Sequence, residues 1–125
     1  MSAAAQSTFD RRIVERLIAE RDAAREEVRA LRRMLFADVV PPEEWGLCRQ
    51  EIMVLQMLMR RELVPMEALV AALWLDPPEA PEQSVFVHIC RLRRKIRPHG
   101  GGISATRRVG YRLTGKDRLR EAMAR

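Results

Sequence analysis

Residues 84–97 read Ser-Val-Phe-Val-His-Ile-Cys-Arg-Leu-Arg-Arg-Lys-Ile-Arg, and the cations of this run are the densest chemical endowment of the chain. Arg91, Arg94 and Lys95 bring guanidinium and ammonium donors, Ser84 and His88 add smaller polar groups, and Val87 offers a compact apolar contact. An arginine can donate two bonds to guanine in a major groove, and a valine can meet a thymine methyl, so the set is suited to reading duplex DNA. Catalysis has little to draw on. The chain holds only two histidines, His88 and His99, no nucleophile stands beside an activating base, and no carboxylate pair has an evident pocket. We therefore expect no enzyme. Cys48 and Cys90 lack metal-ligand spacing and read as reduced, packed or bystander thiols, so no metal or other cofactor is expected.

The elements that must carry these groups follow from periodicity. Val85, Ile89, Leu92 and Ile96 recur at steps of four, three and four, which on a helix makes one apolar stripe. Ser84, Val87, Arg91 and Arg94 then fall on the opposite side, flanked by His88 and Lys95. Arg93 lies closer to the stripe, where an internal ion pair is the alternative to a solvent role, and His88 reads equally as a groove contact or as a satisfied polar residue at the flank. Downstream, residues 103–113 form two short β-prone runs around a turn with Gly110, a hairpin bearing Arg107, Arg108, Tyr111 and Arg112. Upstream, residues 49–61 carry Ile52, Val54, Leu55, Leu58, Met53, Met57 and Met59, an arc wide enough to predict near-complete burial. Met66, Leu69, Val70, Leu73 and Trp74 trace another stripe behind Pro65, which is placed in the first helical turn. Three helices followed by a basic hairpin is the layout of a winged helix-turn-helix, whose last helix enters the major groove.

The sequence resembles the OmpR/PhoB-type winged-helix DNA-binding domains of bacterial response regulators over roughly residues 47–113. The resemblance is carried by Val-His-Ile-Cys-Arg-Leu-Arg-Arg-Lys at 87–95 and by Arg-Arg-Val-Gly-Tyr-Arg-Leu at 107–113, with residues 47–58 and 64–74 matching the two preceding helices. It implies groove-facing roles for Ser84, Val87, His88 and Arg91, phosphate contacts for Arg94 and Lys95, minor-groove entry for Arg107, and backbone contacts for Tyr111 and Arg112. Arg108 stands where the family favours glycine and adds a charge to the tip of the wing. Phe86 stands where an acid is common, and such an aromatic should seek burial, against the long helix or a second copy. In the resembled regulators the loop before the recognition helix can touch RNA polymerase, which makes residues 75–82, with three prolines and three acids, a possible partner surface. Family members usually open with a small antiparallel sheet, for which residues 37–46 are too few, and the chain leaves no room for a phosphate-accepting receiver domain.

Charge divides the chain. Residues 83–125 hold 12 basic and 2 acidic side chains, whereas residues 1–82 hold 11 and 15, so the net +6 is concentrated in the second part. A basic half beside an acidic half suits a nucleic-acid partner, or else an anionic membrane surface. No apolar run reaches membrane-spanning length and no hydrophobic leader opens the chain, so a cytoplasmic, nucleoid-associated protein is expected.

The first part reads as an arm. Residues 1–6 are small and polar and are expected to be disordered. Ser7 can cap a helix with Asp10 at its third position, and no glycine or proline interrupts residues 7–36. Val14, Leu17, Ala24, Val28, Leu31 and Leu35 alternate at three and four, with a polar slot at Arg21 and with Ile13, Ile18 and Met34 beside the seam. Such a helix either docks on the domain of its own chain or pairs with a second copy as a coiled coil, and self-pairing is the preferred expectation. Residues 37–46, with Pro41-Pro42, read as a wet linker, and residues 114–125 permit a short amphipathic helix.

The resulting expectation is a mainly α, α+β protein: a homodimeric regulator that binds double-stranded DNA sequence-specifically, helix 84–97 in the major groove and wing 103–113 on the minor groove and backbone. Two alternatives stay open. One is an adaptor of the transcription machinery that works through its long helix, and the other a nonspecific architectural DNA binder.

Overall fold

A computed structural model describes residues 3–124, in which the chain divides into two compact units that meet at Ala37 and Asp38. The first unit is one helix, α1 (Ala3–Leu35). The helix starts four residues before the expected Ser7, so the leader read as disordered is helical from Ala3, while residues 1 and 2 lie outside the described residues. An uninterrupted run of alanine, arginine, glutamate and leucine has high helix propensity, and charge pairs along the helix add to it. Glu26 holds Arg33 at 3.1 Å and Arg29 at 3.5 Å. The hydrogen bond and charge of Arg33, followed by Arg29, keep the Glu26 carboxyl below its usual range. Arg32 and Arg33 occupy the last turn, where cations suit the helix dipole, and the Phe36 N–H closes that turn on the Arg32 carbonyl at 2.9 Å.

The second unit is built around α2 (Arg49–Arg60), α3 (Met66–Leu73) and α4 (Pro81–Ile96), followed by a hairpin of β1 (Gly102–Thr106) and β2 (Gly110–Thr114) and by α5 (Lys116–Ala124). Residues 37–46 are no wet linker. Val39 is 2% exposed and Trp45 7%, the Trp45 ring stacks on His99 at 4.2 Å, and Asp38 pairs with Arg60 at 2.6 Å. Two prolines stiffen this approach without keeping it off the core, because the side chains on either side of them are large and apolar enough to bury.

Pro65 precedes α3 instead of filling its first turn; its extended backbone sets the entry and its carbonyl accepts the N–H groups of Ala68 and Leu69. Pro81 takes the first turn of α4, so the helix begins three residues before Ser84 and the preceding loop is shorter than 75–82. At a first turn the missing proline N–H costs no helical bond, and the ring presets the angle. The core is formed by Val54, Leu55, Leu58 and Met59 of α2, Leu69 of α3, the complete stripe Val85, Ile89, Leu92 and Ile96 of α4, and Ile103 and Leu113 of the hairpin. Burial on α2 is narrower than expected, since Ile52, Met53 and Met57 stay half-buried. Residues 114–125 do contain a helix, and its Leu119 is fully buried.

In the hairpin Ile103 faces Leu113 and Ala105 faces Tyr111. Val64, between α2 and α3, joins it as a one-residue third strand: its N–H and carbonyl both bond to the Tyr111 backbone at 2.9 Å. That close approach explains Gly110, which sits at φ +151° directly against the Val64 carbonyl and leaves no space for a side chain. Among the described residues there is no four-stranded sheet ahead of α2. None of the described helices is long and apolar enough to cross a membrane.

Candidate nucleic-acid interface

The exposed face of α4 is set by its buried one. With Val85, Ile89, Leu92 and Ile96 sealed in the core, the 100° step of the helix turns Val87, Arg91 and Arg94 outward, and all three are exposed. Val87, 43% exposed, is apolar surface on a helix whose core needs are already met. Ser84 is half-buried in the second turn, its hydroxyl donating to the Ala80 carbonyl at 3.5 Å. Phe86 is 56% exposed beside Val87 in the single chain, so it finds no burial within its own domain.

Two flanking residues depart from the solvent-facing reading. Lys95 does not point to phosphates: its ammonium donates to both carboxylate oxygens of Glu51 at 2.7 and 2.9 Å and to the Gly46 carbonyl at 2.8 Å. Three bonds use all three donors of an ammonium, so the phosphate role expected for Lys95 is corrected to an internal one. Glu51 is 1% exposed, and its carboxylate also accepts the Cys48 N–H at 3.4 Å, tying the start of α2 to the last turn of α4. His88 is half-buried against Trp74, ring centroids 6.5 Å apart, with its Nδ1 sealed from solvent and unbonded among the described residues. Burial lowers its pKa below 6.5, and Arg91 acts in the same direction against the opposing charge of Glu51. His88 is thus placed at the helix flank, with only part of its ring available to a ligand.

The wing adds further cations. Arg107 and Arg108 are exposed in the turn that the Val109 N–H closes on the Thr106 carbonyl at 3.0 Å. Arg108 has φ +66°, the left-handed backbone that glycine adopts freely, which accounts for the family's preference at that place. Arg112 is exposed on β2, whereas Tyr111 is half-buried with its backbone engaged by Val64. Among the described residues Arg93 makes no ion pair; its Nε donates to the Ile103 carbonyl at 3.0 Å and so holds β1 against α4.

Sequence reasoning missed Glu51, Trp74 and Val64 as residues that position the site. Glu51 was open to detection: it lies three, four and seven residues before Val54, Leu55 and Leu58, on the core stripe of α2, where a carboxylate requires a buried partner. Nothing local marks Lys95 as that partner, because 44 residues separate the two.

An exposed cationic helix face beside a cationic hairpin is the geometry of a protein that grips duplex DNA. A family model described as transcriptional regulatory protein, C terminal, matches residues 43–113. The chain belongs to that family. No curated protein and no solved structure matches the chain. As a member of the transcriptional regulatory C-terminal family, it carries a winged helix-turn-helix of the OmpR/PhoB type, a DNA-binding regulatory domain and not a catalytic one. The match begins at residue 43, just ahead of the buried Trp45, and ends at residue 113, the buried Leu113 of β2.

Proposed function

We propose that this protein is a transcriptional regulator that reads duplex DNA sequence-specifically, with α4 in the major groove and the hairpin on the minor groove and backbone. The observation that carries the reading is the outward face of α4, where Val87 and Arg91 are exposed one turn apart and Arg94 continues the same side. Arg91 donates to a guanine edge, Val87 meets a thymine methyl, and Ser84 and the exposed part of His88 contribute at the groove wall. Arg94, Arg107, Arg108 and Arg112 neutralise phosphates, and Arg107 reaches toward the minor groove. Lys95 acts indirectly, by fixing α4 to Glu51.

Selection of bound duplexes from a random pool at physiological salt tests the reading. Enrichment of one motif is expected. Binding without enrichment would make the protein an architectural DNA binder, and absence of binding would leave the adaptor reading.

Homodimer formation through Val14, Leu17, Ala24, Val28, Leu31 and Leu35 belongs to the same proposal, supported by the exposure of Val14, Leu17, Leu31 and Leu35 along α1. It would place two copies on paired half-sites. A partner contact is proposed for the loop after α3. Residues 75–80 are exposed and border a cleft of about 520 Å³ lined by Val70, Trp74, Leu75, Pro77, Glu67 and Glu82, an apolar floor with acidic edges suited to a protein partner such as RNA polymerase. Replacing residues 75–80 by neutral linker should lower transcriptional output at constant DNA occupancy; unchanged output removes this contact.

A further inference from the structure

Helix α1 keeps large apolar side chains in solvent: Val14 is 53% exposed, Leu17 58% and Leu31 51%. The alternation of steps assigns heptad places. Val14, Arg21, Val28 and Leu35 are a positions, and Leu17, Ala24 and Leu31 are d positions. Valine at a with leucine at d favours two parallel strands over three or four, and a lone polar residue at a, here Arg21, lowers stability while disfavouring shifted registers.

The residues beside the seam decide the orientation. The g places hold Ile13, Glu20, Glu27 and Met34, and the e places hold Ile18, Arg25 and Arg32. In a parallel, in-register pair each g residue faces the e residue five places on in the other chain. Ile13 then meets Ile18 of the second copy, Glu20 meets Arg25 of the second copy, and Glu27 meets Arg32 of the second copy. One apolar contact and two opposite-charge contacts arise, each twice by symmetry. An antiparallel pair sets g against g and e against e, which brings glutamates together and leaves the arginines against one another or against Ile18. Glu26, paired with Arg29 and Arg33, occupies the outer face and takes no part in the choice.

We propose that α1 pairs with a second copy of this chain as a parallel, in-register, two-stranded coiled coil. The proposal rests on the self-pairing reading above and adds its orientation and register. Both chains leave the coil at the same end, so two DNA-binding units are tethered at one point and can occupy adjacent half-sites.

The test uses the full chain carrying Cys48→Ser and Cys90→Ala, with Leu17→Cys or Leu31→Cys introduced singly on the exposed seam. Sedimentation at tens of micromolar should give twice the 14.4 kDa mass of the chain. Under mild oxidation each cysteine variant alone should form a disulfide-linked dimer. A dimeric mass in which neither variant cross-links with itself would mean an antiparallel pair and overturn the orientation, whereas a monomeric mass would overturn self-pairing itself. Duplex selection reads DNA binding separately from both. Glu20→Lys with Glu27→Lys should weaken self-association about tenfold or more, since four attractive contacts become repulsive. Mixing that variant with Arg25→Glu plus Arg32→Glu should restore pairing, and self-association unaffected by the charge changes would overturn the e–g arrangement.

Discussion

Arg91 and Lys95 lie one helical turn apart on α4 and are separated in role by what stands opposite each. Arg91 is exposed, and Arg91→Ala is expected to weaken binding to the selected site by about 1–3 kcal/mol while leaving random-sequence binding nearly intact. Titration of both duplexes by fluorescence anisotropy checks this, and equal losses would remove its readout role. Lys95 neutralises a carboxylate that is 1% exposed, so Lys95→Ala strands a buried charge. Its cost is expected at about 2–3 kcal/mol of folding stability, at or below the lower end for a fully buried pair because the lysine side chain is itself 32% exposed. Arg94→Ala should do the reverse, sparing stability and weakening DNA binding. Urea unfolding of the two variants separates the cases. His88 gives a pH signature. Its folded pKa is lowered by burial, so the unfolded chain takes up the proton first as pH falls below about 6.5. Stability is full above that pH and declines as pH drops toward the folded pKa. The Tm of His88→Gln should fall less than that of the unaltered protein over this range.

At the scale of elements, the wing is held by backbone bonds to Val64 as well as by the Arg93 side chain and the buried Ile103 and Leu113. Gly110 lies against the Val64 carbonyl at the point where β2 bonds to Val64, so Gly110→Ala must push the hairpin away from the helices. A loss of at least about 2 kcal/mol is expected, combining a steric shift with an unfavourable backbone angle. Arg108 offers the converse. Its left-handed backbone carries a cost of roughly 1–2 kcal/mol for a residue with a Cβ, so Arg108→Gly should be neutral or slightly stabilising while weakening DNA binding. Thermal unfolding together with binding at fixed salt distinguishes a strained charge from a merely strained turn.

For the whole molecule, the basic half of the chain converts into salt dependence. Affinity for random duplex should fall linearly on logarithmic axes with salt, and removal of Arg107 or Arg108 should each reduce that slope by about 1. A slope unchanged by both substitutions would take the wing off the DNA. The long helix and the winged domain fall in separate compact units, so substitutions in one can be tested for their effect on DNA binding apart from those in the other.

Much of this protein was legible in one dimension because its signals are local. The stripe Val85, Ile89, Leu92 and Ile96 repeats at the helical period, and burying it forces Val87, Arg91 and Arg94 outward whatever the helix packs against. The hairpin and the uninterrupted first helix followed from the same kind of short-range pattern. Tertiary structure decided what depends on residues distant in the chain: Lys95 turned inward because Glu51 is buried 44 residues away, Trp45 and Val39 joined the core despite two neighbouring prolines, and Val64 latched onto Tyr111. Periodicity states which face of an element is apolar. It carries no information about which polar group a neighbouring element brings to that face, and that is where sequence reasoning about Lys95 reached its physical limit.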